Sequence, residues 1–243
     1  MDPFKNGRCV GRVVGLWRYP VKSMSGEAVA EADVSWHGLA GDRRWAFIRG
    51  GSEGSGFPWL TLRDRRRMSH YVPSFLQPAR PDRSPTVVRT PSGDLFDVAD
   101  PELGEELGTG GARVIKQLRG IFDTFPLSLI TTQTIARLGE GVGVHLDVRR
   151  FRPNLLIDAV DEAPFPEDRW VGCVLRIGTL RLRVDKRDGR CLIITIDPVT
   201  SERNPSILRT VARERQGCVG VYGSTVEPGR VTVGDSVVVE STS

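Results

Sequence analysis

Cys191 is the residue with the most chemistry to offer. It ends the segment Lys186-Arg187-Asp188-Gly189-Arg190-Cys191 and directly precedes the apolar run Leu192–Ile196. Cations beside a thiol favour its thiolate, the form that binds a soft metal or attacks an electrophile. A buried structural cysteine is the bland alternative. Position alone divides the two readings evenly, and the flanking Arg187 and Arg190 tilt the balance toward a reactive or ligating thiolate. The remaining cysteines are scattered. Cys173 and Cys218 sit in apolar contexts and read as core filling, and Cys9 lies in a terminal segment. No Cys-x-x-Cys spacing suggests a zinc ribbon, and no run suggests a plant-type iron–sulfur cluster.

Other residues suit an anion. Lys22-Ser23 offers a cation and a hydroxyl that can bind a phosphate together. Arg152 and Asn154 flank Pro153, and the planar arginine fork suits a phosphate or a heterocycle edge. Each pair also reads as solvated loop. Arg43, in Gly41-Asp42-Arg43-Arg44-Trp45, can pair Asp42 or Asp33. The basic run Arg63-Asp64-Arg65-Arg66-Arg67 reads as a solvated face, because little aromatic interleaving accompanies it. His37, His70 and His145 lack helical metal spacing and read as surface or structural.

With 34 basic and 30 acidic residues, the net charge of +4 is too small to suggest a nucleic-acid partner but suits an anionic small molecule. No apolar run approaches the length that spans a bilayer, and the N-terminal segment lacks a signal-peptide core. The expectation is a cytoplasmic protein with no membrane partner.

Strands must position these residues. Val10–Tyr19 alternates and stops at Pro20, Glu27–Val34 suggests a returning strand, and Trp45–Ile48 a third. Gly50–Gly56 reads as a hairpin tip, and Trp59–Leu62 as short and extended. Five prolines in residues 73–93 allow only short edge strands. Pro101–Gly111, acidic and glycine-rich, suggests a boundary between a first domain at 8–100 and a second at 101–243. Beyond it, Leu127–Ile130, Leu155–Ile157 and a hairpin over Val174–Val184 are predicted strands. Thr131–Leu138 reads as a helix capped by Thr132 or Thr134. Lys186–Gly189 reads as a turn, with Gly189 supplying a positive φ, and Leu192–Ile196 as a strand that places Cys191 at its entry. Ser206–Arg215 reads as a helix ended by Gly217, followed by strands at Val219–Tyr222 and Val231–Val239. Short strands at such spacing suggest a barrel.

These pieces together resemble the MOSC family, the molybdenum-cofactor sulfurase C-terminal domain superfamily. The subgroup with an N-terminal β-barrel domain is the nearest in pattern; it includes the mitochondrial amidoxime-reducing component and bacterial reductases of N-hydroxylated compounds. The matching residues are Trp17–Ser23, Gly38–Trp45, Thr61-Leu62-Arg63, Arg150–Asn154, Glu167–Trp170, Arg190-Cys191 with Asp197-Pro198, and Val233-Gly234-Asp235. The resemblance implies an α+β, strand-dominated fold with few helices: a MOSC-type β-barrel with an N-terminal β-barrel subdomain. It implies that Cys191 binds molybdenum and serves catalysis. It places Lys22, Ser23, Arg43, Arg152, Asn154 and Arg190 around the molybdopterin and its phosphate, with Thr132 or Thr134 also at the cofactor.

The implied function is a molybdenum-cofactor oxidoreductase acting on N-hydroxylated or other N-oxygenated small molecules. Electrons would come from a separate protein or reductase, since the chain has no iron–sulfur run or dinucleotide fingerprint. Two other classes stay open: a sulfur-transfer enzyme with a Cys191 persulfide, and a molybdenum-cofactor carrier. Pyridoxal phosphate binding and sulfur carriage are further associations at family level. The chain also departs from the family pattern near Cys191. Asp188 stands where the reductases often have a second cysteine, Ile194 and Thr195 replace a pair of threonines, and the glycine usual after Asp-Pro is missing from Val199–Glu202.

Overall fold

The computed structural model describes residues 7–52, 54–108 and 113–240; Glu53, in the predicted hairpin tip, and residues 109–111, in the acidic stretch, lie outside them. The strand-dominated α+β architecture is as the sequence indicates. The first half carries β1 (Gly7–Arg18), β2 (Glu27–Ala28), β3 (Glu31–Ser35), β4 (Gly38–Leu39), β5 (Trp45–Ile48), β6 (Val72–Phe75), β7 (Thr86–Arg89), β8 (Leu95–Asp97), helix α1 (Pro101–Glu106) and β9 (Arg113–Lys116). The second half carries β10 (Leu127–Thr131), α2 (Thr132–Val142), β11 (Leu155–Ala159), β12 (Val174–Ile177), β13 (Leu180–Gly189), α3 (Pro205–Arg215), β14 (Cys218–Glu227), β15 (Gly229–Thr232) and β16 (Ser236–Glu240).

Seven strands close a barrel in the order β1-β11-β10-β14-β13-β12-β16, because β1 pairs antiparallel with both β11 and β16. The alternation read in β13 puts Leu180, Leu182 and Val184 inside, where they meet Leu129, Leu155, Ile157, Leu175, Val221 and Val237. Each such side chain contributes about 1.5–3 kcal/mol by leaving water. β10 and β11 are parallel, which requires a crossover, and α2 supplies it. The segments at 8–100 and 101–243 interlock. β1 closes the barrel, β3 pairs β15, and β5 pairs β9. A second core under the N-terminal strands gathers Met24, Phe47, Leu62, Met68, Val88 and Leu103.

Three local expectations change. β13 runs on through Lys186–Gly189, so these residues are strand and Gly189 keeps a negative φ. Bulges against β14, where the register shifts between Val184 and Lys186 and again between Arg187 and Gly189, accommodate the charged residues without a turn. Leu192–Thr195 is a 3-10 turn rather than a strand, with Cys191 at its N-cap. Its tight winding sends consecutive apolar residues in different directions. Leu192, Ile193 and Ile196 pack on the N-terminal core, while Ile194 enters a third core with Phe151, Ile207 and Val219. An extended strand would offer only two faces. Cys173 and Cys218 are half-buried at strand ends rather than core.

Candidate functional site

One cleft collects most of the candidate residues. Lys22, Ser23, Arg43, Arg152, Asn154, Arg190 and Cys191 all line it, across the junction of barrel and N-terminal body. Its enclosed volume is about 110 Å³, and it opens directly to solvent.

The floor is a chain of hydrogen bonds. Asp42, fully buried, accepts from the Tyr19 amide at 2.7 Å, from Arg43 Nη1 at 2.5 Å and from Asn154 Nδ2 at 3.2 Å. Asn154 Oδ1 accepts from the Ser128 amide at 3.2 Å, and Ser128 Oγ donates to Asp188 Oδ2 at 3.2 Å. Arg190 Nη2 lies 2.8 Å from the same Asp188 oxygen. Arg190 is itself fixed by donating to Val219 O at 2.7 Å and Phe151 O at 2.8 Å. Its passage needs Gly220: a Cβ there would sit 2.7 Å from Leu129 O and 3.0 Å from Arg190 Nη2, and the φ is +73°. Asp188 is buried beside the Tyr222 phenol. Burial pushes its carboxyl up, against the pull of Arg190.

The cations are held by unusual backbone. Ser23, Arg43 and Arg152 have φ of 68°, 50° and 50°, a left-handed conformation that costs energy in non-glycine residues and clusters at functional sites. Arg43 Nη2 donates to Arg152 O at 3.0 Å, and both guanidinium carbons lie over the Tyr19 ring, at 4.6 Å and 4.3 Å from its centroid. The shared ring face offsets part of the repulsion between the two cations. Arg152 Nη1 donates to Met24 O at 2.6 Å, while its buried Nη2 has no partner. Burial, reinforced by Arg43, lowers the Arg152 pKa to about 10. Lys22 Nζ contacts Ile121 O at 3.2 Å and Asp123 Oδ1 at 2.5 Å. Burial lowers the Lys22 pKa, opposed by Asp123. Burial alone would raise Asp123, but Lys22, Arg43 and Arg63 hold it below the usual carboxylate range.

The cation at Cys191 is not one of its sequence neighbours. Arg187 turns away to Arg215 O at 2.7 Å and to Asp168, and Arg190 serves the floor. Instead Arg63 Nη2, from the basic run read as a solvated face, donates to Cys191 Sγ at 3.3 Å. Arg63 is exposed, as that reading expects, and the buried Thr61-Leu62 segment places it at the rim of the cleft. Arg150, also unassigned by the sequence, pairs Asp197 at 2.5 Å and donates to Thr195 O at 3.2 Å, tying the cysteine loop to the barrel. The match to Arg150–Asn154 was the one signal for it.

Thr132 and Thr134 do not reach the cleft. Thr131, not either of them, caps α2, accepting from the Thr134 amide at 3.2 Å. The helix then turns Thr132 toward Asp158, at 2.8 Å, and Thr134 toward buried Glu167, at 2.7 Å.

The donor set fits a metal that brings ligands of its own. Among the described residues no group of three His, Cys, Asp or Glu could hold a metal ion. Cys191 supplies one soft donor, and the unpartnered Arg152 Nη2 is a buried cationic donor awaiting an acceptor. An anionic cofactor with sulfur donors matches both. No helix among the described residues is long and apolar enough to cross a membrane.

Comparison with known proteins gives a consistent picture. Residues 116–238 match the MOSC domain, and residues 10–94 match the MOSC N-terminal beta barrel domain. Human mitochondrial amidoxime-reducing component 1 is 25% identical over 94% of this chain and 82% of that protein. The molybdenum cofactor sulfurase of Drosophila mojavensis is 25% identical over 94% of this chain, which spans 35% of that protein. The crystal structure of the YUAD protein from Bacillus subtilis matches at 13% identity with a TM-score of 0.54, covering 96% of this chain and 97% of that one. That last likeness concerns the fold alone.

Proposed function

The chain belongs to the MOSC domain family, and from that premise we propose that it is a molybdenum-cofactor oxidoreductase. Its substrates are N-hydroxylated or other N-oxygenated small molecules. The overall change balances as R–NHOH with two electrons and two protons giving R–NH₂ and water, the electrons coming from a separate donor protein or reductase. When bound, the cofactor supplies the two-electron and oxygen-transfer chemistry.

The chain's own residues hold and orient. Cys191 offers the protein's ligand to the metal, and Arg63 keeps positive charge on that sulfur. Arg152, Arg43, Lys22 and Ser23 receive the anionic end, with Asp42 fixing Arg43, Asn154 holding Asp42, and Met24 O holding Arg152. Lys22 exchanges part of its contact with Asp123 for the incoming anion. The Asp188–Arg190 pair holds the strand end that presents Cys191, a supporting role of the kind that tunes metal sites.

The observation that carries this reading is a single thiol, contacted by a guanidinium, in a cleft that also holds a buried guanidinium nitrogen without a partner. The test is a single-turnover experiment. Protein made in a host competent for cofactor synthesis is reduced chemically, freed of reductant and mixed with an N-hydroxyl compound. Release of amine in proportion to molybdenum supports the proposal; no amine from molybdenum-loaded protein contradicts it. Sulfur transfer is the competing reading, favoured by the sulfurase relatives. It predicts a persulfide on Cys191 and a metal-free protein.

A further inference from the structure

The polar network on the cleft floor has three loose ends. Two are donors: Arg152 Nη2, which suits an anionic cofactor, and Arg190 Nη2, which is ion-paired with Asp188 without an aligned hydrogen bond. The third is Asp188 Oδ1, an acceptor. Asp188 is 1% exposed, and its other oxygen, Oδ2, accepts from Ser128 Oγ at 3.2 Å and is ion-paired with Arg190 Nη2 at 2.8 Å. Oδ1 is buried with no aligned hydrogen-bond partner, although the Tyr222 phenol lies against the carboxyl. An unsatisfied buried carboxylate oxygen is costly. Asp188 lines the same cleft as Cys191, three residues on. The complementary group is an N–H or an N–O–H.

We propose that Asp188 Oδ1 accepts a hydrogen bond from the substrate, so that the cleft selects hydroxylamines and other N-oxygenated compounds that carry a donor over tertiary amine N-oxides, which carry none. This rests on the reductase reading above. It divides the carboxyl's work: Oδ2 anchors Arg190, and Oδ1 reads the substrate. A site built to pair with a donor rejects the analogue that lacks it, because its own buried group is then left unpaired.

The test is Asp188→Asn in the cofactor-loaded chain. Ser128 Oγ donates to Oδ2, so it retains the amide oxygen there and leaves the –NH₂ in the place of Oδ1. The acceptor becomes a donor. N-phenylhydroxylamine and N,N-dimethylaniline N-oxide form a matched pair of substrates, and their products, aniline and N,N-dimethylaniline, a matched pair of unreactive ligands. Per bound molybdenum, the variant is expected to lose roughly tenfold or more in the ratio of kcat/KM for the hydroxylamine to that for the N-oxide, whose oxygen accepts. Calorimetric binding should show the same split, aniline weakened and N,N-dimethylaniline unaffected. Equal losses on both substrates per bound molybdenum overturn the inference and leave Asp188 as a positioning residue for Arg190. If the wild type reduces neither compound, the reductase reading fails, and the binding pair then decides the inference: aniline binding that ignores the substitution overturns it.

Discussion

Arg63 Nη2 donates to Cys191 Sγ at 3.3 Å across 128 positions of sequence. The contact joins the N-terminal body to the cysteine loop and puts positive charge at the sulfur from a residue that local sequence does not mark. Arg63→Ala should weaken molybdenum retention by roughly 1.5–3 kcal/mol, the scale of a hydrogen bond to a charged group. Arg67→Ala, in the same basic run but absent from the cleft lining, should leave retention unchanged. Metal content after exhaustive dialysis separates the two; equal losses would mean that the run acts through bulk charge.

Lys22 and Asp123 meet at 2.5 Å, and the pair makes a pH-dependent contribution with a definite sign. Asp123 is held below its ordinary value in the fold, so its stabilisation is present above the ordinary carboxylate range and is lost as pH falls through the depressed value. Without cofactor, the wild type should therefore shed this term only below about pH 4. Asp123→Asn should be less stable than the wild type at pH 7, because Lys22 stays buried without a counter-ion. The gap should close in acid. Denaturant midpoints at pH 7 and pH 3 check both statements.

The barrel was readable from alternation. β1, β12, β13 and α3 stand within a few residues of where periodicity and prolines put them, because each has one buried face. The cysteine loop was not. Leu192, Ile193, Ile194 and Ile196 are all apolar because they fill two different cores, and a short apolar run does not say whether it is extended or wound. Lys22, Arg43, Arg152, Asn154 and Arg190 were legible through motifs that surround the cleft. Arg63 stood in the Thr61-Leu62-Arg63 match, but its contact with Cys191 was not legible there, and Asp123 carried no signal at all. Thr132 and Thr134 were misplaced because the cap fell one residue earlier, on Thr131, which reorients both.

All three tyrosines are shielded. Burial raises the phenols of Tyr19 and Tyr71 to about 12, despite the arginines over Tyr19, and raises Tyr222 further. A phenol raised in the fold contributes stability that is full below its unfolded value near 10 and is lost as pH rises through the folded value. Absorbance at the phenolate band should therefore stay flat through pH 10 and rise only near pH 12, together with loss of the folded circular-dichroism signal. A titration step at pH 10 in folded protein would place at least one ring in solvent.

The central claim is that Cys191 binds molybdenum in a pterin cofactor held by this cleft. Elemental and pterin analysis of wild type and Cys191→Ala, both purified from a host competent for cofactor synthesis, tests it most directly. The wild type should carry about one molybdenum and one pterin per chain, and the alanine variant, folded by circular dichroism, almost no metal, since a thiolate is the one soft ligand the cleft supplies. Full N-hydroxyl reduction by the alanine variant, or by metal-free wild type, would contradict the account.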